Sequence, residues 1–129
     1  MTPRRLLLVF IGGSIGTAVR LAIGFWIPDA GGLPTATLVV NVLGALLIGV
    51  VAARFASTAA LRVFLGTGVL GGFTTYSAFT TGAVSLWADA PLLAFAYAAG
   101  SLVLGLAAAA LGMRMGRPRA AAPRSGGDS

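Results

Sequence analysis

Four long apolar stretches, separated by short polar turns, dominate the sequence. They run over about residues 6–27, 34–53, 61–86 and 91–113, and each is long enough to supply the roughly 20 helical residues that cross a bilayer core. Only 9% of the residues are charged, against about a quarter in a typical soluble domain. The pattern predicts an all-α integral membrane protein with four transmembrane helices, formed by residues 1–113.

The two ends of the chain fit this interpretation. The first apolar stretch continues past any small-residue cleavage site, so it is predicted to be a retained span rather than a signal peptide. Residues 114–129, RMGRPRAAAPRSGGDS, are basic and rich in glycine, proline and alanine. This composition predicts a disordered cytoplasmic tail.

Arginines flank the apolar stretches on one predicted side of the membrane, whereas the loops on the other side carry only Asp29 and Asp89. The positive-inside rule therefore predicts a multi-pass cell-membrane protein with both termini in the cytoplasm. This placement explains the net charge of +6 through topology, so nucleic acid is not expected as a partner. The flanking arginines are Arg4, Arg5, Arg54, Arg62, Arg114, Arg117, Arg119 and Arg124.

Missing residue types exclude several kinds of chemistry. The chain has no Cys, His or Glu, and its three Asp lie outside the apolar stretches. Thiol nucleophiles, disulfides and transition-metal sites are therefore not expected. No intramembrane carboxylate is available to carry protons. The sequence predicts that the protein is not an enzyme.

The third apolar stretch contains the segment GGFTTYSAF, residues 71–79, which is poor helix material. Paired glycines and paired β-branched threonines weaken a helix and compete for its backbone hydrogen bonds. Non-helical backbone at membrane depth occurs only where it is buried in protein or lines a cavity. The segment therefore predicts a third helix that is broken mid-membrane, with freed carbonyl oxygens that can face a hard cation such as Na⁺.

The turn after this break carries both hydroxyl and aromatic groups. Helical spacing places Tyr76, Phe79 and Thr80 on one face, with Ser77 beside them. The edge of an aromatic ring is positive, so ring edges and hydroxyls together can replace water around a small anion. The alternative is aromatic packing, with the hydroxyls bonded to carbonyls of their own helix.

Two further polar residues lie within the apolar stretches. Arg20, in GGSIGTAVR, either extends its guanidinium to the interface or forms an electropositive vestibule. Asn41, in TLVVNVLGALLIG, either makes an interhelical hydrogen bond or donates to an anion in a pathway.

Glycines also recur in pairs at helical spacing in the first and third stretches. Gly12 pairs with Gly16, and Gly68 pairs with Gly72. Small residues four apart allow helix backbones to approach closely. These pairs predict tight helix packing.

Taken together, the motifs GGSIGTAVR, VNVLG, GTGVLGGFTTYSAF and AYAAGSLVLGL resemble those of the CrcB/Fluc family of fluoride-specific ion channels. The match covers nearly the whole chain, and all four motifs come in the family's order. The resemblance implies an antiparallel, dual-topology dimer with two fluoride pathways and a structural Na⁺ at its centre. One position departs from the usual pattern, because Tyr76 stands where the family has phenylalanine.

The resemblance also implies roles for individual residues. Backbone carbonyls at Gly71 and Thr74 would bind the Na⁺, and Arg20 would lie in the vestibule. The residues implied in the fluoride pathway are Asn41, Tyr76, Ser77, Phe79, Thr80 and Tyr97.

The expected function is passive export of fluoride from the cytoplasm, which lowers fluoride toxicity. One alternative is a small four-span multidrug transporter, which requires a membrane-embedded glutamate that this chain lacks. The other is a non-conducting assembly subunit, in which Asn41→Ala or Phe79→Ala would disturb only stability. Because the arginine bias favours a single orientation, the expected second subunit is an oppositely oriented paralogue, or otherwise a second copy of this chain.

Overall fold

The computed structural model describes residues 1–119, and this part of the chain is helical with no β-strand. Helix α1 spans Pro3–Trp26, α2 spans Thr35–Arg54 and the last helix, α5, spans Pro91–Gly116. In the described part these three are long and apolar enough to cross a membrane. The chain is therefore a helical integral membrane protein.

The third apolar stretch forms two helices in place of one. The first, α3, covers residues 60–73 and consists of Ala60–Arg62, a π-helical part, Val63–Leu70, and a final turn, Gly71–Phe73. The second, α4, covers Tyr76–Asp89. Thr74 and Thr75 lie between them with extended backbone, at φ −79°, ψ 156° and φ −147°, ψ 119°.

Local sequence explains where several helices begin and end. The Thr2 hydroxyl accepts from the Arg5 N–H and Pro3 fills the first turn of α1, which is the usual use of these residues at a helix start. The turn between α1 and α2 places Gly31 and Gly32 at φ 60° and 82°, a conformation that favours glycine.

Helix α5 continues to Gly116, so residues 114–116 are helical and do not belong to a disordered tail. Arg114 lies in the last turn, where a cation is favourable beside the helix C-terminus. The rest of the predicted tail, from residue 120 onward, lies outside the described residues.

Helices α1 and α3 pack through glycines, as the spacing predicts. A Cβ at Gly12 would lie 2.7 Å from the Phe64 carbonyl oxygen, and one at Gly16 would overlap the Val69 carbonyl oxygen. From the other side, a Cβ at Gly68 would lie 3.1 Å from the Gly12 Cα. The prediction of tight packing by these glycine pairs is confirmed.

A second glycine contact joins α2 to α5 and was not among the glycine pairs predicted above. Cβ atoms at Gly49, Gly112 and Gly116 would overlap carbonyl oxygens of the facing helix. The described chain also has two clusters of buried apolar residues. One contains Val40, Val51, Leu70 and Phe73, and the other contains Leu86, Ala94 and Tyr97.

The described arginines other than Arg20 lie at one end of the bundle. A guanidinium nitrogen of Arg5 donates to the Thr58 carbonyl, 3.2 Å away in the loop between α2 and α3. Arg62 donates to the Phe55 carbonyl in the same loop, also at 3.2 Å. At the opposite end, the α1–α2 turn approaches α4, near Asp29 and Asp89. The bundle is therefore strongly polarised in charge.

Candidate functional site

The Asn41 side chain holds the break between α3 and α4. Its Oδ1 accepts from the Thr75 N–H at 2.8 Å, and its Nδ2 donates to the Thr75 carbonyl at 2.9 Å. Because the backbone N–H is necessarily a donor, it fixes which end of the amide faces it. Asn41 thus makes the interhelical bond, and its second amide hydrogen has no acceptor among residues 1–119.

The carbonyls at the end of α3 differ in their hydrogen bonding. The Leu70 carbonyl accepts from both the backbone N–H and the hydroxyl of Thr74, each at 2.9 Å. The Gly72 carbonyl accepts from Thr17 Oγ1 at 3.3 Å and from Arg20 Nε at 3.2 Å. Within residues 1–119, no donor reaches the carbonyls at positions 71, 73 and 74. The break thus presents free carbonyl oxygens.

These carbonyls suit a hard cation. The described residues include no cluster of His, Cys, Asp or Glu that could hold a metal, so any ligands here would be neutral oxygens. Na⁺ and similar cations take such oxygens. The donor set at Gly71 and Thr74 fits Na⁺, with further ligands needed from outside this chain's break.

Arg20 extends from α1 toward the break and borders a cavity of about 280 Å³. Its Nε contact with Gly72 places the cation at the C-terminal end of α3, where the helix dipole favours positive charge. Thr37, Val40 and Thr75 also line this cavity. The guanidinium therefore lies beside the break and does not extend away from it.

The hydroxyls at the start of α4 are mostly occupied by local bonds. Thr75 Oγ1 accepts from the Ala78 N–H at 3.2 Å and lies 3.2 Å from Ser77 Oγ. The Thr80 hydroxyl donates to carbonyls of its own helix, at Tyr76 and Ser77. This is the local bonding that the packing alternative predicts for Thr80, whereas Ser77 is exposed.

Three aromatic rings form a row from α4 to α5. The Tyr76 and Phe79 ring centroids are 6.2 Å apart, and those of Phe79 and Tyr97 are 5.5 Å apart, with tilts of 38° and 34°. Tyr76 is 79% exposed, whereas Tyr97 is 4% exposed. The row therefore leads from an exposed ring to a buried one.

A second cavity, of about 340 Å³, brings most of these groups together. It is lined by Asn41 from α2, by the break and the first turn of α4, and by Ser101 from α5. The Ser101 and Tyr97 hydroxyl oxygens are buried without a hydrogen-bond partner among residues 1–119. Buried hydroxyls are normally paired, so these two are available to a ligand. Thr75 lines both this cavity and the one at Arg20.

Sequence reasoning missed Ser101 and Thr75 as members of the site. Ser101 lies four residues after Tyr97, one helical turn away on the same face, and that spacing was the available signal. The partnership of Thr75 with Asn41 joins residues 34 apart in sequence, and no local pattern reveals it.

Comparison with known proteins identifies the family. A family model described as "CrcB-like protein, Camphor Resistance (CrcB)" matches residues 7–113. A relative from Agrobacterium fabrum is 44% identical, with 85% of this chain and 94% of the relative aligned. The chain belongs to the CrcB family.

Other CrcB relatives have names that agree with the first. The Agrobacterium protein is called "Fluoride-specific ion channel FluC". One from Thermus thermophilus has the same name and is 41% identical over 90% of this chain and 96% of its own length. One from Bacillus subtilis, "Fluoride-specific ion channel FluC 2", is 42% identical, with 84% of this chain and 85% of the relative aligned. The resemblance is confirmed, and so is the prediction that this CrcB protein is not an enzyme.

Proposed function

We propose that this chain is a subunit of a fluoride-specific ion channel that lets fluoride leave the cytoplasm passively. The observation that carries the proposal is the cavity in which Asn41, Phe79 and Ser101 meet in a chain whose relatives are named fluoride channels. The membrane potential is sufficient to drive an anion out, so neither a proton carrier nor an energy source is needed.

The groups bordering this cavity suit a small, strongly hydrated anion. The free hydrogen of the Asn41 amide and the Ser101 hydroxyl can donate to it. The Tyr97 hydroxyl does not line the cavity but is a further unpaired donor one helical turn before Ser101. Ring edges at Phe79 and Tyr76 add weak positive potential. All of these donors are neutral, so they can replace water without holding the anion as tightly as a fixed charge would, which conduction requires.

Arg20 then acts as the vestibule that attracts anions. Thr75 lines both the cavity at Arg20 and the cavity at Asn41, so an anion drawn toward the guanidinium would arrive beside the break. Ser77 and Thr80 complete the proposed pathway, although Thr80 must first release its carbonyl bonds before it can donate.

In this proposal α3 and α4 together form the third of four spans, broken mid-membrane at Thr74 and Thr75. The carbonyls of Gly71 and Thr74 would bind a structural Na⁺ that is not transported. Support comes from the free carbonyls at the break. Because two carbonyls do not complete a cation's shell, equivalent carbonyls from a second subunit would supply the rest.

The functional unit is then an antiparallel, dual-topology dimer in the cell membrane. The arginine-rich end of this chain would face the cytoplasm together with both termini. This charge bias favours one orientation of the chain over the other. The second subunit would therefore be an oppositely biased paralogue, or otherwise a second copy. Comparable amounts of both orientations for the chain expressed alone would exclude the need for a paralogue.

Fluoride efflux from liposomes that contain the purified chain tests the proposal, with Na⁺ present and chloride as the control anion. We expect fluoride to leave and chloride to remain. If a folded chain shows no efflux alone, the assay is repeated with the paralogue. Absence of fluoride efflux in both would leave the non-conducting assembly subunit as the better account.

Substituting Ser101 by alanine separates a pathway role from a packing role. Removing an unpaired buried hydroxyl costs no protein hydrogen bond, so we expect stability to be unchanged or slightly higher. Fluoride efflux should nevertheless fall, because a donor to the anion is lost. Thermal unfolding and liposome efflux are measured on the same preparation, with Ser85→Ala on the exposed face of α4 as the matched control. Unchanged efflux would remove Ser101 from the pathway.

A further inference from the structure

The hydrogen bond from Thr75 to Asn41 has a consequence for Gly71. In a continuing α-helix the N–H of residue 75 would donate to the carbonyl of residue 71. Here that N–H donates to Asn41 Oδ1 at 2.8 Å. The Asn41 side chain thus takes the donor that the Gly71 carbonyl would otherwise receive.

The neighbouring carbonyls show that this effect is selective. Leu70 keeps its helical bond from Thr74 N–H at 2.9 Å and gains a second from the Thr74 hydroxyl. Gly72 accepts from Thr17 and Arg20 on α1. Of the carbonyls at 70, 71 and 72, that of Gly71 alone lacks a donor in the described chain, and Gly71 is also exposed. The carbonyls of Leu70 and Gly72 both accept hydrogen bonds, and these bonds fix the direction of the Gly71 carbonyl between them.

We propose that Asn41 is a positioning residue for the cation site, because its side-chain oxygen keeps the Gly71 carbonyl free to bind Na⁺. This inference rests on the proposed function and gives Asn41 a role there beyond the anion pathway. One side chain then serves both ions: Oδ1 maintains the cation site, while Asn41 also lines the cavity proposed for the anion and its Nδ2 has one hydrogen without an acceptor in the described chain. The proposed role at the cation site requires a hydrogen-bond acceptor for the Thr75 N–H, and it does not require the amide group as such.

The variants are chosen to separate loss of the acceptor from loss of the amide donor. Asn41→Leu keeps the approximate volume but removes the acceptor, so Thr75 N–H can return to Gly71. Asn41→Asp keeps an oxygen acceptor for the Thr75 N–H but removes the Nδ2 donor, both toward the anion and toward the Thr75 carbonyl. Ser85→Ala, on an exposed face away from the break, serves as the control for purification and handling.

The experiment measures thermal unfolding of each full-length variant as NaCl replaces N-methyl-D-glucamine chloride at constant ionic strength. A ligand that binds only the folded state raises its stability with concentration. We expect Asn41→Leu to raise the Na⁺ concentration for half-maximal stabilisation by about 10–100-fold, as loss of an outer-shell support typically does. Asn41→Asp should raise this concentration far less than Asn41→Leu, because it keeps an acceptor for the Thr75 N–H. Ser85→Ala should keep the response of the unaltered chain. Fluoride efflux should fall in both Asn41 variants and stay unchanged in Ser85→Ala.

A folded Asn41→Leu protein with an unaltered Na⁺ response would overturn the inference and leave the proposed channel function standing. An unaltered chain whose unfolding does not respond to Na⁺ would overturn the cation site itself, and this inference with it. If Asn41→Leu does not fold, Asn41→Ala replaces it. We expect the same rise in the Na⁺ concentration for half-maximal stabilisation, and an unaltered Na⁺ response would again overturn the inference.

Discussion

Replacing Gly16 with alanine should prevent the bundle from assembling in its native packing. The added Cβ would overlap the Val69 carbonyl oxygen and lie 2.8 Å from the Phe73 nitrogen. These are backbone atoms of α3, so no side chain can rotate away. Overpacking of this kind costs about 1–3 kcal/mol and sometimes more, and here it displaces the helix that ends at the break. We expect a markedly lower thermal midpoint and loss of fluoride efflux.

Gly24→Ala is the matched control on the same helix. Nothing lies within 4 Å of a Cβ at that position, and alanine is the better helix former by about 0.5–1 kcal/mol. Its thermal midpoint should therefore equal or exceed that of the unaltered chain. Equal midpoints for the Gly16 and Gly24 variants would contradict the close α1–α3 approach.

Phe79→Leu should reduce fluoride efflux by at least about tenfold, which corresponds to roughly 1.4 kcal/mol in the barrier. The Phe79 ring lies between those of Tyr76 and Tyr97 and borders the cavity at Asn41. Leucine keeps an apolar side chain but has no positive ring edge for the anion. Thermal unfolding should change far less than flux, because Phe79 is only half-buried.

Phe95→Leu provides the same change of residue type at an exposed position of α5 and should leave efflux intact. Tyr76→Phe keeps the ring edge, so it should also conduct. If Phe79→Leu lowers stability but retains the efflux of the Phe95 variant, the aromatic row serves packing and the pathway lies elsewhere.

Local sequence predicted the features that depend on local physics. Apolar length and the small charged fraction predicted a helical membrane protein, and the glycine spacing predicted tight helix packing, which the structure shows between α1 and α3. The segment GGFTT predicted where regular helix would fail, and the structure places extended backbone at Thr74 and Thr75. Each of these depends on residues close together in the chain.

Features that depend on contacts between distant elements were not predictable in the same way. The bonds between Asn41 and Thr75, and between Arg20 and Gly72, join different helices and require the packed bundle. The π-helical part of α3 has no signature in the apolar pattern. The spacing of Ser101 from Tyr97 is a weak local signal, and only the packed bundle places its hydroxyl, buried, beside the cavity.

The charge distribution links the fold to the question of the partner. The contacts of Arg5 and Arg62 anchor the loop between α2 and α3 at the arginine-rich end. Bringing that end across the membrane would be costly for an inverted copy of the same chain. A second chain with the opposite bias would avoid this cost, which is the reason for the paralogue in the proposed dimer.

The measurement that tests the central claim most directly is the reversal potential in planar bilayers containing the chain, with the paralogue if required. A tenfold fluoride gradient is set up with equal chloride on both sides. A passive fluoride-selective channel should reverse at about 59 mV, the potential for one elementary charge and a tenfold ratio, whatever the chloride concentration. Currents that reverse at 0 mV, or at a potential that changes with the chloride concentration, would contradict fluoride selectivity and with it the proposed pathway.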